Sequence, residues 1–428
     1  MIGAPVFRYV LTPGWAGDSL ALAAQAVPSL DLNFAVTKTV GPLVTFTRAS
    51  SATLIDSAGT LQTAAVDVPR FDHNPTTAES LGLLVEEQRT NSLTYSEDTS
   101  QWLTPTNITL SQNQTTAPDG ASTADQYLET AATGLHVQDG MPFTFVTSTA
   151  YTYSVFVKSI GGRNFEIGYP PTTFTNRFAR FNLSGSGSVQ GSDAGVTASI
   201  QAYANGWYRC SATNTCASGA SARISNFVNN DSFARSYAGD VTKGLFIWGA
   251  QLEAGAFPTS YIPTTTAAAT RSADVASITG ANFSSWYRQN EGTVFAESSS
   301  FSNLSGSRVV SAIDDGSMSN RFQITFASGY TPNFAAVSAG TVSADLYASA
   351  PAQGFNTRFC TTYGVNDFVL SSNGGNSVTD TSGALPISVS TARLGVFQNN
   401  TGYLNGTIRR LTFFPQRLPS STLEAITR

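Results

Sequence analysis

Short runs in which apolar and polar side chains alternate recur along most of this chain, and they limit its fold more sharply than any other feature. Tyr151-Thr-Tyr-Ser-Val-Phe-Val-Lys is one, and Phe178-Ala-Arg-Phe-Asn-Leu, Gly206-Trp-Tyr-Arg-Cys-Ser-Ala and Leu245-Phe-Ile-Trp-Gly-Ala-Gln-Leu continue the pattern. A period of two places successive side chains on opposite faces of a strand. Gly-, Ser- and Asn-rich turns separate the runs. Many short strands joined by such turns predict antiparallel sandwiches or jelly rolls. Composition points the same way. Only 12% of residues are charged, against about 25% in ordinary soluble domains. The small polar residues that replace them suit strand surfaces and tight turns better than long helices. The expected fold class is therefore all-β: two tandem antiparallel β-sandwich domains after a mixed N-terminal region.

The 428 residues divide accordingly. Residues 1–98 read as an N-terminal attachment or assembly region. A short helix is expected from Asp18, which can cap it, up to Pro28. LDLNF and LVTFTR follow as short strands, Asp56 to Gly59 as a hairpin turn, and LGLLVEEQ as a further strand. This region has too few apolar stripes for a core of its own, so it should lean on the next domain or on a neighbouring chain. Residues 99–263 form the first sandwich, of jelly-roll type, and 264–279, rich in small residues after Pro258 and Pro263, a linker. Residues 280–428 form the second sandwich, with strands beginning near Gly292, Arg321, Arg358, Ala392 and Gly406. Ser421 and Glu424 have capping-box spacing, which predicts a short terminal helix over a sheet edge.

Several function classes are disfavoured. A net charge of −5 with no basic stripe argues against nucleic-acid binding. No apolar run reaches the ~18 to 20 residues that span a bilayer, so membrane insertion is not expected. The first residues lack the basic and apolar segments of a signal peptide, so no secretory route is expected. Two histidines, His73 and His136, occur without HExxH or CxxC spacing, and Asp314-Asp315-Gly316 alone makes no calcium loop. No metal or other cofactor is expected. Of the three cysteines, Cys210 and Cys216 could bridge a hairpin, although two buried thiols are the favoured reading, and Cys360 is left over.

Cutting a polysaccharide would require two carboxyl groups about 5 to 9 Å apart. No Glu-x-Asp-x-x-Glu run occurs. Glu86 and Glu87 are neighbours on opposite strand faces, Asp314 and Asp315 precede a turn glycine, and Glu291 and Glu297 flank a strand. No catalytic residue is therefore assigned, and the protein is read as a non-enzyme. Glu253 sits in Trp248-Gly-Ala-Gln-Leu-Glu, where Trp248, Ala250 and Leu252 should share one core-facing side and Gly255, Pro258 and Pro263 lead the chain out. Glu86, Glu87, Arg89 and Asn91 are assigned a structural role, with Arg48 and Arg70 as pairing partners for such carboxylates. Binding a sugar needs exposed rings beside polar groups. Trp286, Tyr330, Tyr403 and Trp102 are the candidates for glycan contact, with Tyr169, Tyr203 and Tyr287 behind them; Trp207 and Trp248 read as core.

Several segments together resemble bacteriophage tail-fibre, tail-spike and related virion proteins. Phe46-Thr-Arg-Ala-Ser-Ser-Ala-Thr, Asp56-Ser-Ala-Gly-Thr-Leu-Gln, Pro69-Arg-Phe-Asp-His and Leu83-Leu-Val-Glu-Glu-Gln-Arg-Thr-Asn-Ser-Leu resemble their N-terminal block. Tyr153-Ser-Val-Phe-Val-Lys, Gly206-Trp-Tyr-Arg and Trp248-Gly-Ala-Gln-Leu-Glu are similar to their carbohydrate-binding-like jelly roll. The last part, through Leu404-Asn-Gly-Thr-Ile-Arg-Arg-Leu-Thr, is similar to a concanavalin A/laminin-G-like module. The resemblance begins near residue 44. It implies a virion structural protein, assembled in the bacterial cytoplasm and released by lysis. It also implies contacts to other virion proteins through the N-terminal region, a homotrimer, and adhesion to a host surface glycan. The alternatives are a capsid or tail decoration protein without glycan contact and, further off, a polysaccharide depolymerase.

Overall fold

The computed structural model describes residues 26–301, 306–349 and 356–428, and the helix expected from Asp18 lies outside the described residues. Within them the protein is all-β and consists of antiparallel sheets stacked in pairs. One sandwich packs a six-stranded sheet on a five-stranded one. The six strands lie in the order Thr197–Ala202, Trp207–Thr215, Ala150–Ile160, Gly244–Ala254, Ala124–Glu129, Ile108–Thr115. The five run Val137–Asp139, Ser225–Asn229, Asn164–Gly168, Phe178–Asn182, Ser188–Ser192. Between the sheets, Tyr151, Tyr153, Val155 and Val157 meet Phe165, Ile167, Phe181 and Val228, as the period of two in each run requires.

Trp248 departs from the expected alternation. Ala250 and Leu252 face this core, but Trp248 points to the other side of the sheet, against Phe156 and Tyr261. A bulge between Ser154 and Phe156 shifts the register there, and Gly249 takes a φ of 62°. A bulge inverts the parity of the residues beyond it, so neighbouring apolar side chains serve two cores. The second core lies under the hairpin Ala52–Ile55/Leu61–Ala64, whose Ile55 and Leu61 cover Phe156, Trp207 and Trp248. That hairpin is the one expected at Asp56: its Oδ1 accepts the Ala58 and Thr60 N–H groups.

The other sandwich is built from both ends of the chain. Gly406–Phe414 lies centrally in an eight-stranded sheet. It pairs with Gly292–Ser300 and also with the N-terminal strands Leu30–Leu32 and Ser80–Val85. The facing seven-stranded sheet starts at Thr45–Thr47, which pairs with Val275–Thr279. The N-terminal region thus leans on the C-terminal strands, and Leu30, Leu32, Phe46, Leu83 and Val85 bury in one core with Phe322, Phe359, Tyr363 and Phe413. The stretch 264–279, expected as a linker, contains two strands, Ala269–Arg271 and Val275–Thr279. Its Ala276 and Ile278 face the core while Ser277 and Thr279 face away, so the alternation is present in residues too small to stand out.

The terminal helix forms as Ser420–Ile426, but without the expected capping box: no side chain caps it, and Glu424 Oε1 accepts the Ser377 N–H at 2.9 Å. Leu423 packs it on Cys360 and Val369, on a sheet face and not an edge. Cys210, Cys216 and Cys360 are free, buried thiols. Among the described residues, no helix is long and apolar enough to cross a membrane.

Candidate functional site

The four aromatic residues proposed from sequence for glycan contact are not surface platforms. Trp102 is 6% exposed, Trp286 4%, Tyr330 8% and Tyr403 9%. Trp102 belongs to the jelly-roll core and the other three to the core of the second sandwich. Polar neighbours in sequence made them look exposed, but each lies where a loop folds back over a sheet. Trp286, for example, meets Phe283 and Phe413 with ring centroids 5.1 and 5.0 Å away. Tyr169 is buried with its hydroxyl donating to Ala212 O, and Tyr203 and Tyr287 pack on Phe156 and Phe283.

The carboxylates singled out in the sequence serve as links. Asp314 pairs with Arg393 at 2.8 Å, and Asp315 accepts the Ser317 N–H. Glu291 faces Arg288, and Glu297 lies between Arg358 and Arg409. Glu253 is buried and takes the N–H and hydroxyl of Thr259. Glu86 and Asp274 anchor a buried ionic clasp with Arg48, Arg70 and Arg271. Arg48 reaches Asp274 at 3.1 Å, Arg70 reaches Asp274 at 2.5 Å and Glu86 at 2.8 Å, and Arg271 reaches Glu86 at 3.5 Å. Burial alone would raise the Glu86 carboxyl, but Arg271 and Arg70 hold it down at about 2. Ser260 donates its N–H and hydroxyl to the same carboxylate. Asn91 completes the join, donating to Ala250 O and Ile262 O and accepting from Leu252 N. The Glu86–Asn91 cluster and the segment after Trp248 therefore fasten the two sandwiches together. Among the described residues no group of three or more His, Cys, Asp and Glu side chains could hold a metal ion.

An open site lies elsewhere, on the outer face of the five-stranded sheet. Along Asn164–Gly168, Phe165 and Ile167 enter the core, so Glu166 and Gly168 face out. Along Phe178–Asn182, Ala179 and Phe181 enter it, leaving Phe178 and Arg180 outside; along Ser225–Asn229 the outward residues are Ser225, Phe227 and Asn229. Glu166 is fully buried beneath its partners. It accepts Arg180 Nε and Asn229 Nδ2, each at 2.8 Å, while Arg235 clamps its Oε1 through Nε and Nη2. Arg235 in turn lies 4.5 Å over the Phe227 ring, and Arg180 4.3 Å over Phe178. A guanidinium placed over an aromatic face is attracted to it electrostatically.

At one end of this ladder is a cleft of about 580 Å³, floored by Gly168, Ser225 and Phe227 and walled by Pro142, Pro170, Pro171, Arg177, Arg223 and Arg235. Gly168 shapes the floor, because a Cβ there would stand 2.5 Å from the Phe227 ring. The size and the mixture of apolar walls with a few fixed polar groups suit a small ligand. Of its lining, only Tyr169 figured among the sequence candidates, and its ring is buried. The overlooked signal was spacing: Phe178 and Phe181 are three apart on one strand, so one of them must face away from the core.

No family model matches the chain, and no curated protein matches it. Solved structures overlap parts of it. CBM40 of the Ruminococcus gnavus IT-sialidase, bound to alpha2,3-sialyllactose, is 16% identical, with 33% of this chain and 84% of that one covered and a TM-score of 0.30. The NanB sialidase of Streptococcus pneumoniae is 16% identical over 35% of this chain and 26% of its own, also at 0.30. The botulinum neurotoxin type G receptor binding domain is 8% identical over 35% of this chain and 38% of its own, at 0.28.

Proposed function

We propose that this protein is an adhesin that binds saccharide in the cleft on the five-stranded sheet, as a tail-fibre-type structural component of a bacteriophage particle. The observation that carries the binding role is the cleft itself: an aromatic ring seated on Gly168, flanked by arginine donors, on an outer sheet face. Sugars are held by this combination of apolar ring faces and convergent hydrogen-bond donors. The virion setting, the homotrimer and the attachment of the N-terminal region to other virion proteins rest on the sequence segments that resemble tail-fibre and tail-spike proteins. The role is one of contact, without a reaction.

Binding is tested with the full chain on a glycan array, followed by titration of the strongest glycan against wild type, Phe227→Ala and Gly168→Ala. Both variants should weaken binding at least tenfold, with thermal melts confirming that each is folded at the assay temperature. Unchanged binding by both would remove the cleft from the reading, and no glycan bound at all would remove adhesion through sugar. A rise in reducing ends on incubation with a bound polysaccharide would show an enzyme. Mass spectrometry of purified particles and light scattering of the chain, expected at three times 45.1 kDa, test the setting and the trimer.

A further inference from the structure

We propose that the saccharide taken by this cleft carries a carboxylate; the proposal rests on the cleft being a sugar site at all. The chain as a whole is acidic, at −5, with 23 basic residues in 428. Yet Arg177, Arg180, Arg223 and Arg235 gather on this one face. Their balance is uneven. Arg180 and Arg235 are both committed to buried Glu166. The remaining two, Arg177 and Arg223, have no ion-pair partner among the described residues, although both line the cleft.

One carboxylate, Asp139, also lines the cleft, and neither it nor Asp193 forms an ion pair with these arginines. Asp139 accepts the Ser225 hydroxyl at 2.5 Å, and Asp193 accepts the Arg177 backbone N–H at 2.6 Å. Arg223 spends one nitrogen, Nη1, on Gly140 O at 2.7 Å and keeps its other N–H groups. The Arg177 side chain is exposed. The cleft thus offers two guanidinium forks that form no ion pair among the described residues, with Asp139 the one carboxylate in its lining. Beside them, Pro142, Pro170 and Pro171 form apolar walls. A guanidinium fork matches a planar carboxylate with two parallel hydrogen bonds. A uronic or sialic acid residue supplies that carboxylate on a ring that also presents an apolar face to Phe227.

The test uses the full chain and matched probes: tetragalacturonate, a hyaluronan tetrasaccharide and sialyllactose, each beside its methyl ester, with dextran sulfate as a separate arm. Binding is read by ligand-observed NMR at millimolar probe. At least one acid should bind at least tenfold more tightly than its ester. Arg177→Gln combined with Arg223→Gln should abolish that preference, and the paired lysine variants should restore part of it. Thermal melts confirm that each variant is folded. If acids and esters bind equally and Phe227→Ala still weakens both, the carboxylate requirement falls while sugar binding stands. If dextran sulfate competes as strongly as the best acid and loses affinity in the same arginine variants, the site is a general anion patch and the proposal falls. If no probe, acid or ester, binds folded protein, both readings fall.

Discussion

Replacing Asp274 by Asn isolates what the buried clasp contributes. Asp274 is fully buried with Arg48 and Arg70, accepts from both guanidinium groups, and also takes the Glu86 N–H at 2.9 Å. Three arginines face two carboxylates there, so removing one charge leaves the cluster with an excess of two cations. Arg70 keeps Glu86 at 2.8 Å, whereas Arg48 loses its only carboxylate in the cluster. Removing one partner of a buried pair costs about 3–5 kcal/mol, because the other charge stays desolvated. One guanidinium left with only the Ser50 and Ala65 carbonyls and one half satisfied place Asp274→Asn near the middle, at about 4 kcal/mol. For a domain of roughly 150–250 residues that lowers Tm by about 8–16 °C. Far-UV circular dichroism, with urea titration for the free energy, measures it. A second substitution separates charge from packing: Arg48→Met should cost at least about 1 kcal/mol less in Asp274→Asn than in wild type, since the two side chains are coupled. A Tm drop under about 3 °C, or additive effects, would refute the reasoning.

Three other outcomes follow from particular side chains. Folding holds Glu86 at about 2 instead of its ordinary 4.5, a displacement worth about 3 kcal/mol. That stability is present above pH 4.5 and is lost as pH falls through about 2. Acid titration of wild type should therefore be steeper than that of Glu86→Gln over that window, and parallel curves would contradict it. Gly249→Ala should cost about 1–3 kcal/mol in urea, because Ala is strained at positive φ and its Cβ would stand 3.0 Å from Phe156; a neutral result would show the bulge relaxing. Trp286→Ala should cost about 3–5 kcal/mol with saccharide binding unchanged, and loss of binding at full stability would return Trp286 to the site.

The sheets were legible because a period of two survives in strands such as Tyr151-Thr-Tyr-Ser-Val and Arg321-Phe-Gln-Ile-Thr-Phe, each half in a core. The structural reading of Glu86, Glu87, Arg89 and Asn91 was legible too, since so dense a polar cluster after an apolar strand needs partners. What those partners are was not. Asp274 is 204 residues from Arg70 along the chain, and nothing local marks them as a pair. The pairing of both chain ends in one sheet is hidden for the same reason. Local pattern fixes which residues face a core, not which distant strand closes it. The cleft was not legible because the candidates were Trp and Tyr among polar neighbours, whereas the ring at its floor is Phe227.

Why Phe178 and Phe227 stay outside bears on where a ligand can land. The outer face of the six-stranded sheet is closed by the hairpin carrying Ile55 and Leu61, and the eight-stranded sheet is partly covered by the helix carrying Leu423. Phe178 and Phe227 belong to none of the apolar clusters. Both rings are half-buried, so each forgoes only part of the stabilisation of about 1.5–3 kcal/mol that full burial contributes. The fold recovers part of that by laying Arg180 and Arg235 over the rings and burying Glu166 beneath the guanidinium groups. Half-buried rings braced by charge leave Phe227 positioned at the cleft floor with its neighbours already in place, so on the proposed reading a sugar would have little left to order there.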